Sequence, residues 1–314
     1  MPDSDKPDQL AELEIRDYRP EDADALWAIL LAAFDDGELK GSTRHDVEHW
    51  HSRLPANPPD TLVAVLAGRV AGLITPRRNM MVVGRAFRRR GVGRRLVEAA
   101  EHGNRERGAG PLYLALPHEN DGALAFFHTL GFTYHHSTWN MRLRDDAAVV
   151  VPAFPPAVVR HRYRHDDVAA FVDLVNTAFV DHPTPLSVSV ERVRYVHSLP
   201  DFNPENICLL APADEPDRLV AFCRVDLQED EGRTTGEVAV VGVLPEWRRQ
   251  GLGRALLRWG VHRLQGIGVE EVFLAVESEN ERALRLYEET GFERVEEWPR
   301  YARVADQEPH RFDL

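Results

Sequence analysis

The chain contains the segment Arg248-Arg249-Gln250-Gly251-Leu252-Gly253-Arg254 and, 160 positions earlier, a segment of the same layout, Arg88-Arg89-Arg90-Gly91-Val92-Gly93-Arg94. An asparagine and then a glycine-phenylalanine pair follow each segment at equal distances. They are Asn120 with Gly131-Phe132, and Asn280 with Gly291-Phe292. The sequence is therefore internally duplicated, and a repeat of this length indicates two domains of one kind.

Apolar residues place the second segment between a strand and a helix. Val238–Val243 is a β-branched apolar run, and apolar residues recur at helical spacing from Leu252 to Leu264. The glycines between them let backbone N–H groups approach an anion, and the start of the helix adds partial positive charge. Arginines supply countercharge in a chain whose formal net charge is -13. The segment predicts a pyrophosphate-binding loop.

The loop does not match the common nucleotide-binding motifs. A P-loop needs Lys and then Ser or Thr where this chain has Arg254 and Ala255, and the third glycine of a dinucleotide fingerprint is missing. A single G-x-G before a helix is by itself more often only a turn. The functional interpretation therefore depends on the residues that follow the loop.

Those residues carry a resemblance to a known family. Arg248-x-x-Gly251-x-Gly253, followed by Asn280-x-x-Ala283-x-x-x-Tyr287-x-x-x-Gly291-Phe292, resembles the acetyl-CoA-binding core of the GNAT N-acetyltransferase family. The resemblance covers residues 13–143 and 157–304. Three stretches of the second half are also similar to the C-terminal domain of mycothiol synthases, and the first half shows no such likeness. They are Gly236–Val243, Val276–Asn280 and Asn176-x-Ala178-Phe179-x-x-His182-Pro183.

The predicted fold class is α/β, with two tandem GNAT-like domains that are each a mixed twisted sheet flanked by helices around a CoA cleft. We expect a flexible N-terminus at 1–12, an N-terminal domain at 13–148, a linker at 149–157 and a C-terminal domain at 158–314. A chain of 314 residues suits two domains of that size. We expect the two domains to pack as a pseudo-dimer.

Comparing the copies residue by residue predicts one active and one degenerate domain. The resemblance implies that Tyr287 is the general acid that protonates the departing CoA thiolate, and its counterpart in the first copy is Phe127, which has no proton to give. Glu237 stands where mycothiol synthases carry a proposed base, and its counterpart is Arg77. Glu237 would deprotonate the acceptor amine, and no metal or covalent intermediate is needed.

The predicted cosubstrate is acetyl-CoA. In the second copy the candidate residues for it are Val241, Val243, Arg248, Arg249, Gln250, Gly251, Leu252, Gly253, Arg254 and Asn280. In the first copy they are Met81, Val83, Arg88, Arg89, Arg90, Gly91, Val92, Gly93 and Arg94. The intact first loop favours CoA binding by the first copy, and the lost acid favours a purely structural role.

Several candidate residues also have plain structural explanations. His182, Glu191 and Trp298 are candidates for the acceptor pocket, although they equally suit a loop, a helix face and a packing position. Asn280 suits a helix cap, and Ser278-x-x-Glu281 is typical of a capping box.

Composition narrows the compartment and the partners. Cys208 and Cys223 are the only cysteines and lie in apolar strand-like runs, which argues against a disulfide scaffold and favours a reducing cytoplasm. The first twelve residues do not resemble a signal peptide, and no apolar run is long enough to span a bilayer. Net acidity argues against nucleic acid as a partner. We expect a cytoplasmic monomer or homodimer that contacts no membrane.

The leading functional hypothesis is transfer of acetyl from acetyl-CoA to the primary amine of a small molecule. Its sharpest form is mycothiol synthesis, in which the cysteinyl amine of a thiol-sugar conjugate is acetylated. The alternatives are acetylation of a protein N-terminus or lysine, which would need an open groove, and a noncatalytic CoA-binding regulator. Glu237 and Tyr287 argue against the regulator.

Overall fold

A computed structural model of the chain describes residues 12–39, 61–76, 80–107, 110–116, 120–147, 152–181, 188–199, 202–230 and 233–303. These residues form two compact units. The first unit runs to Thr138 and includes Glu277–Glu279 and the residues from Glu296 onward. The second unit comprises Trp139–Val276 and Asn280–Val295. The C-terminal residues 296–303 therefore belong to the first unit, although in the sequence they follow the second copy of the repeat.

The first unit is a sheet with helices on both faces. Its elements are β1 (Leu13–Asp17), α1 (Ala23–Asp35), β2 (Leu62–Leu66), β3 (Arg69–Thr75), β4 (Met80–Val83), α2 (Val92–Glu106), β5 (Tyr113–Ala115), α3 (Asp121–Thr129) and β6 (Thr133–Leu143), the last as far as Thr138. The strands β1-β2-β3-β4 form an antiparallel sheet in that order.

Strand alternation explains how this sheet buries both faces. Leu73 packs in one apolar cluster with Leu26 and Leu30 of α1, whereas the next residue, Ile74, packs in another with Leu96 of α2. Successive side chains of a strand point to opposite faces. A continuous run of apolar residues therefore packs against helices on both faces of the sheet.

The second unit repeats this plan in a longer form. Its elements are β7 (Val158–Arg162), α4 (Val168–Ala178), α5 (Val190–His197), β8 (Ile207–Pro212), β9 (Ala221–Asp230), β10 (Arg233–Val243), α6 (Leu252–Ile267), β11 (Glu271–Glu277, to Val276 in this unit), α7 (Glu281–Thr290) and β12 (Phe292–Ala302, to Val295 in this unit). The strand order is β11-β10-β9-β8-β7, with β10 and β11 parallel and the other pairs antiparallel. The predicted mixed α/β sheets are confirmed.

The last strand of each copy divides between the units. β6 contributes Thr133–Thr138 to the first unit and its remaining residues to the second. β12 contributes its first residues to the second unit, and its end pairs with β5 of the first unit through Arg300↔Ala115 and Ala302↔Tyr113. The predicted domain limit near residue 150 followed the sequence repeat, and the repeat carries no sign of this division.

Among the residues that the structure describes, no helix is long and apolar enough to cross a bilayer.

The two cysteines do not form a disulfide. Cys208 and Cys223 are free, buried and opposite each other in the β8–β9 pair. Burial raises the pKa of the Cys223 thiol well above its usual value, so this thiol is inert at neutral pH.

A partly buried histidine packs on aromatic rings of the second unit. His197 of α5 stacks on Phe202, with 4.1 Å between ring centroids, and its Nε2 lies 3.0 Å from the Tyr163 hydroxyl. Burial, together with the charges of His165 and Arg224, lowers the pKa of His197 to about 4. Burial raises the pKa of Tyr163, so this phenol donates the hydrogen bond to a neutral imidazole.

We expect the second unit to lose stability as the pH falls from 6.5 towards 4. In this range the unfolded chain binds a proton at His197 that the folded chain does not, and above it the contribution is constant. Denaturant unfolding at several pH values should give a shallower slope for His197→Gln than for wild type. His102→Gln, at an exposed position of α2, is the control. Equal slopes for wild type and His197→Gln would contradict the prediction.

Candidate active site

The cleft of the second unit begins where two parallel strands separate. β10 pairs with β11 only through Thr235, Gly236 and Glu237, although both strands continue beyond this point. A bulge lies between Val238 and Val240 on the other edge of β10, where it pairs with β9. Bulges bend a strand and increase its twist, which accounts for the separation. Glu237 therefore stands at the apex of a V-shaped opening.

The loop after β10 has the backbone of an anion site. Arg249 adopts a left-handed conformation with φ 62°, and Gly251 follows with φ 83° as the N-cap of α6. No side chain caps this helix, so the N–H groups of its first turn are available to a ligand. The first copy is the same, with Arg89 at φ 62° and Gly91 at φ 81° before α2. The loop geometry is therefore duplicated along with the sequence.

The first arginine of each loop is an anchor. Arg248 donates from Nε to the Val243 carbonyl oxygen at 3.2 Å and from both terminal nitrogens to the Asp181 carboxylate at 2.5 and 2.8 Å. In the first unit, Arg88 donates to the Val83 carbonyl at 2.9 Å and twice to Glu38 at 2.6 Å.

The sequence predicts that Arg248 and Arg88 contact the CoA pyrophosphate. In both units the guanidinium is instead paired within the protein and ties the loop to the end of the preceding strand. The other arginines of the second loop differ in whether they form an ion pair. Arg254 pairs with Glu289, whereas Arg249 has no ion pair among the described residues.

The other predicted cofactor residues take different parts. Leu252 and Val92, the middle residues of the G-x-G motifs, are buried in the cores and offer a ligand only their backbone. Asn280 caps α7, since its side-chain oxygen accepts from the Ala283 N–H at 3.1 Å, and Asn120 caps α3 in the same way at 3.0 Å. The predicted capping box at Ser278 is wrong, because the Ser278 hydroxyl accepts from the Ser137 N–H at 3.0 Å.

The two copies differ where a general acid was predicted. Tyr287 of α7 packs against Phe292 at a centroid distance of 6.2 Å. Burial of the phenol, with a smaller contribution from Cys223, raises the pKa of Tyr287 to about 12. Its counterpart Phe127 is buried among Phe132 and other rings of the first unit. A proton donor therefore exists at this place in the second unit and not in the first.

Two of the three acceptor-pocket candidates, Glu191 and Trp298, belong to different units. Glu191 is exposed in the first turn of α5, where hydrogen bonds from its own backbone and from Ser189 lower its pKa, which is the behaviour of a helix-capping carboxylate. Trp298 lies on the part of β12 that belongs to the first unit. His182 and Arg77 lie outside the described residues.

The first unit contains a cleft of about 700 Å³. It opens between β4 and β5, which are not paired with each other, and the loop before α2 borders it. Met81, Val83 and Gly93 line it, as do the other residues predicted to hold CoA in this copy except Arg90. Phe127, the counterpart of Tyr287, lines it too. Trp298 and Arg300 of β12 complete the wall.

Behind that wall lies a polar network that the sequence did not predict. His136 donates to Glu277 at 2.8 Å, Thr138 donates to the same carboxylate at 3.2 Å, and Arg300 donates from Nε to the Thr138 hydroxyl at 2.9 Å. These residues are up to 164 positions apart in the chain, and no local motif links them. Only the course of β6 and β12 through the fold brings them together.

Comparison with known proteins agrees with this geometry. The Acetyltransferase (GNAT) family profile matches residues 4–132 and 170–292. A mycothiol acetyltransferase of Propionibacterium freudenreichii subsp. shermanii is 36% identical over 138 residues, which is 44% of this chain and 44% of that protein. The chain thus spans less than half of that relative. A mycothiol acetyltransferase of Thermobispora bispora is 34% identical over 218 residues, 68% of this chain and 72% of the relative.

Solved structures share the fold. A tandem GNAT protein from the clavulanic acid biosynthesis pathway has a TM-score of 0.60 at 18% identity, covering 94% of this chain and 100% of that one. A GCN5-related N-acetyltransferase from Sphaerobacter thermophilus has a TM-score of 0.59 at 23% identity, covering 93% and 95%.

The arginine anchors can be tested in matched pairs. Asp181→Ala should weaken CoA binding at the second loop by about three- to tenfold, because Arg248 loses a bidentate partner and the loop loses its tether. Glu38→Ala should do the same at the first loop. Calorimetric titration of CoA measures both, with Glu205→Ala, which removes an exposed ion pair with Arg162, as the control. Tighter binding by Asp181→Ala would show instead that Arg248 is a phosphate ligand.

Proposed function

Because the chain belongs to the acetyltransferase (GNAT) family, we propose that it transfers acetyl from acetyl-CoA to the primary amine of a small molecule, with the chemistry in the second unit. The observation that carries this assignment is the asymmetry between the copies. The second unit has Glu237 at the apex of its opening and a phenol at Tyr287, whereas the first has Phe127. Both units keep a loop suited to the CoA pyrophosphate.

The reaction starts with proton removal from the acceptor. An alkylammonium group cannot attack a thioester, so Glu237, directly or through water, takes the proton and leaves a neutral nitrogen. The amine nitrogen then bonds to the thioester carbon, and the carbonyl oxygen gains the negative charge. This oxyanion needs hydrogen-bond donors that are already in place.

Strand separation supplies those donors. In β10, alternate N–H groups point towards β9 and towards the other edge of the strand. Past Glu237 that other edge has lost its pairing with β11, so the N–H groups of the Val241–Val243 stretch that point there are free to bind the oxyanion. No side chain is required for this role.

Collapse of the intermediate breaks the C–S bond, and Tyr287 protonates the CoA sulfur. A pKa of about 12 keeps the phenol protonated throughout the neutral range, so the donor is always loaded. Transfer to an ordinary thiolate, with a conjugate acid near about 8.5, would be uphill. Burial in the same cleft also raises the proton affinity of the leaving sulfur. The difference between the pKa values of the phenol and the thiol is therefore smaller in the cleft than in water.

Among the possible acceptors, the comparisons favour the one used in mycothiol synthesis. Relatives named mycothiol acetyltransferase align over more than two thirds of this chain at above 30% identity. The acceptor would then be the cysteinyl amine of a thiol-sugar conjugate. We further propose that the protein acts in the cytoplasm, as a monomer or homodimer, and that both loops bind CoA.

Tyr287→Phe should lower kcat by about 100-fold or more while CoA affinity changes by less than about twofold, because the ring is kept and only the proton donor is lost. Mass spectrometry of the acetylated product is the suitable assay, since a thiol-bearing acceptor would interfere with thiol reagents. Tyr195→Phe, on α5, is the control. An unchanged kcat would remove Tyr287 from the mechanism.

The acceptor can be identified with a panel of amines assayed with one acyl donor. The panel contains the cysteinyl thiol-sugar conjugate, its serine analogue, simple amino sugars, and peptides with a free N-terminus or lysine. Acetylation of the conjugate at a kcat/KM at least about tenfold above the others supports the mycothiol assignment. A preference for peptides would favour a protein acetyltransferase. Failure to acetylate any amine, with CoA still bound, would favour the noncatalytic regulator.

A further inference from the structure

A second carboxylate lies directly across the strand pair from Glu237. In the β9–β10 pair, Glu237 is in register with Asp226. Residues that stand directly opposite each other in an antiparallel pair point to the same face of the sheet, with about 5 Å between their Cβ atoms. The base that we propose for the acceptor amine therefore has a neighbouring acid within reach of the same small molecule.

The two acids lie on the face of the sheet that does not pack on α6. Gly236 and Val238 stand on either side of Glu237, and both approach α6. A Cβ atom on Gly236 would lie 2.5 Å from the Leu264 side chain, and Val238 lies against Gly260. Because side chains alternate along a strand, Glu237 and its partner across the pair point to the opposite face.

That face is apolar at one end and open to solvent at the other. Phe222 is four residues before Asp226 on β9 and shares its face, and it packs on Phe171 of α4 with 5.3 Å between the ring centroids. The Asp226 side chain is 42% exposed. The two acids thus stand beyond the apolar packing of this face, where a molecule from solvent reaches them.

Arg224, on the same strand, is an ion-pair partner of Asp226. Its Nη2 donates to the Asp226 Oδ2 at 2.8 Å. Both side chains are more than one third exposed, and water screens an ion pair in such a place. An ionised carboxylate accepts several hydrogen bonds, so this pairing leaves Asp226 able to accept from a second cation.

The described strands of the first copy are too short to carry such a pair. β9 and β10 are 10 and 11 residues long, whereas β3 and β4 are 7 and 4 residues long. β4 starts at Met80, which is eight residues before Arg88, and Glu237 is eleven residues before Arg248. The added length of the second hairpin therefore carries both carboxylates.

We propose that Asp226 is an acceptor-binding residue, which together with Glu237 takes the acceptor amine as an ammonium ion. The enzyme would thereby select amines that are cationic at neutral pH over alcohols and weakly basic amines. This inference rests on the proposed function, which places the acceptor amine at Glu237. It adds the charge state in which the acceptor binds and the second group that binds it.

Two carboxylates beside one ammonium give each group a distinct part. The ammonium donates to both, and its charge offsets the repulsion between them. Glu237 then takes one proton, which leaves the nitrogen with two hydrogens and a lone pair. One of these N–H groups still donates to Asp226. The nitrogen therefore stays in place while its lone pair attacks the thioester carbon.

Asp226→Asn in the full-length enzyme tests this role. For the panel amine with the highest kcat/KM, we expect KM to rise about five- to tenfold, with a smaller change in kcat and CoA affinity within about twofold of wild type, because only the acceptor loses a charged partner. Asp226→Glu, which keeps the charge, should recover part of the loss. Glu229→Gln is the matched control, since it removes the same charge from an exposed position on the other face of β9.

Arg224→Gln separates binding of the acceptor from pairing within the protein. This variant removes the ion-pair partner and leaves the charge of Asp226 in place. We expect KM to fall or to change by less than about twofold. An equal rise of KM in Arg224→Gln and Asp226→Asn would overturn the proposal, because Asp226 would then serve only to pair with Arg224.

A binding measurement without turnover distinguishes this inference from the proposed function. NMR titrations of n-butylamine and of the neutral n-butanol into CoA-saturated protein measure recognition of an ammonium alone. We expect the preference of wild type for the amine to drop at least about threefold in Asp226→Asn and to persist in Glu229→Gln. The same preference in wild type and Asp226→Asn would contradict the proposal. So would equal affinity of wild type for amine and alcohol, a result that needs no variant to fold.

Failure of the enzyme to acetylate any amine would count against the proposed function alone. The Asp226-dependent preference for the amine, if it persisted in that case, would still show a site for an ammonium ion.

Discussion

The separation of β10 from β11 after Glu237 is the constraint on which the second unit's site depends. A parallel pair normally satisfies every backbone group on its shared edge, and here that pairing stops while the strands continue. The bulge between Val238 and Val240 makes the turn of the strand possible without breaking its pairing with β9. The opening therefore has one continuous wall and one edge without strand pairing, as the proposed binding of a thioester requires.

Duplication has preserved backbone geometry more strictly than side-chain chemistry. The left-handed arginine before each glycine has the same φ in both loops, and each first arginine is anchored to a carboxylate on a different part of its own unit. These backbone features suit the phosphate-binding role that we propose for both loops. The side chains predicted to carry the chemistry differ at two positions, Glu237 against Arg77 and Tyr287 against Phe127. At the second position one hydroxyl group distinguishes a proton donor from an apolar core residue.

Local patterns in the sequence predicted those parts of the site that are local in the chain. The glycine loops, the strands before them, the capping asparagines and the mixed sheets all follow from short-range spacing, and the structure contains them. The partner of Arg248 could not be predicted, because Asp181 lies 67 residues away and any exposed acid would have served equally well. The place of Trp298 in the first unit could not be predicted either, for a topological reason. The division of a strand between two units leaves no sign in composition or periodicity, because side chains alternate between the two faces in the same way in either sheet.

The division of β12 has a consequence for how the protein is made. The chain leaves the ribosome with its N-terminus first. The residues that pair with β5 are therefore among the last of the described residues to emerge. The first unit therefore cannot complete its fold while only the first half of the chain has been synthesised. Until the end of β12 has been synthesised, β5 lacks this strand partner. For the same reason the halves are not interchangeable parts. A gene cut at the linker would yield a first half without the end of β12, which pairs with β5, and a second half without the end of β6, which belongs to the second unit.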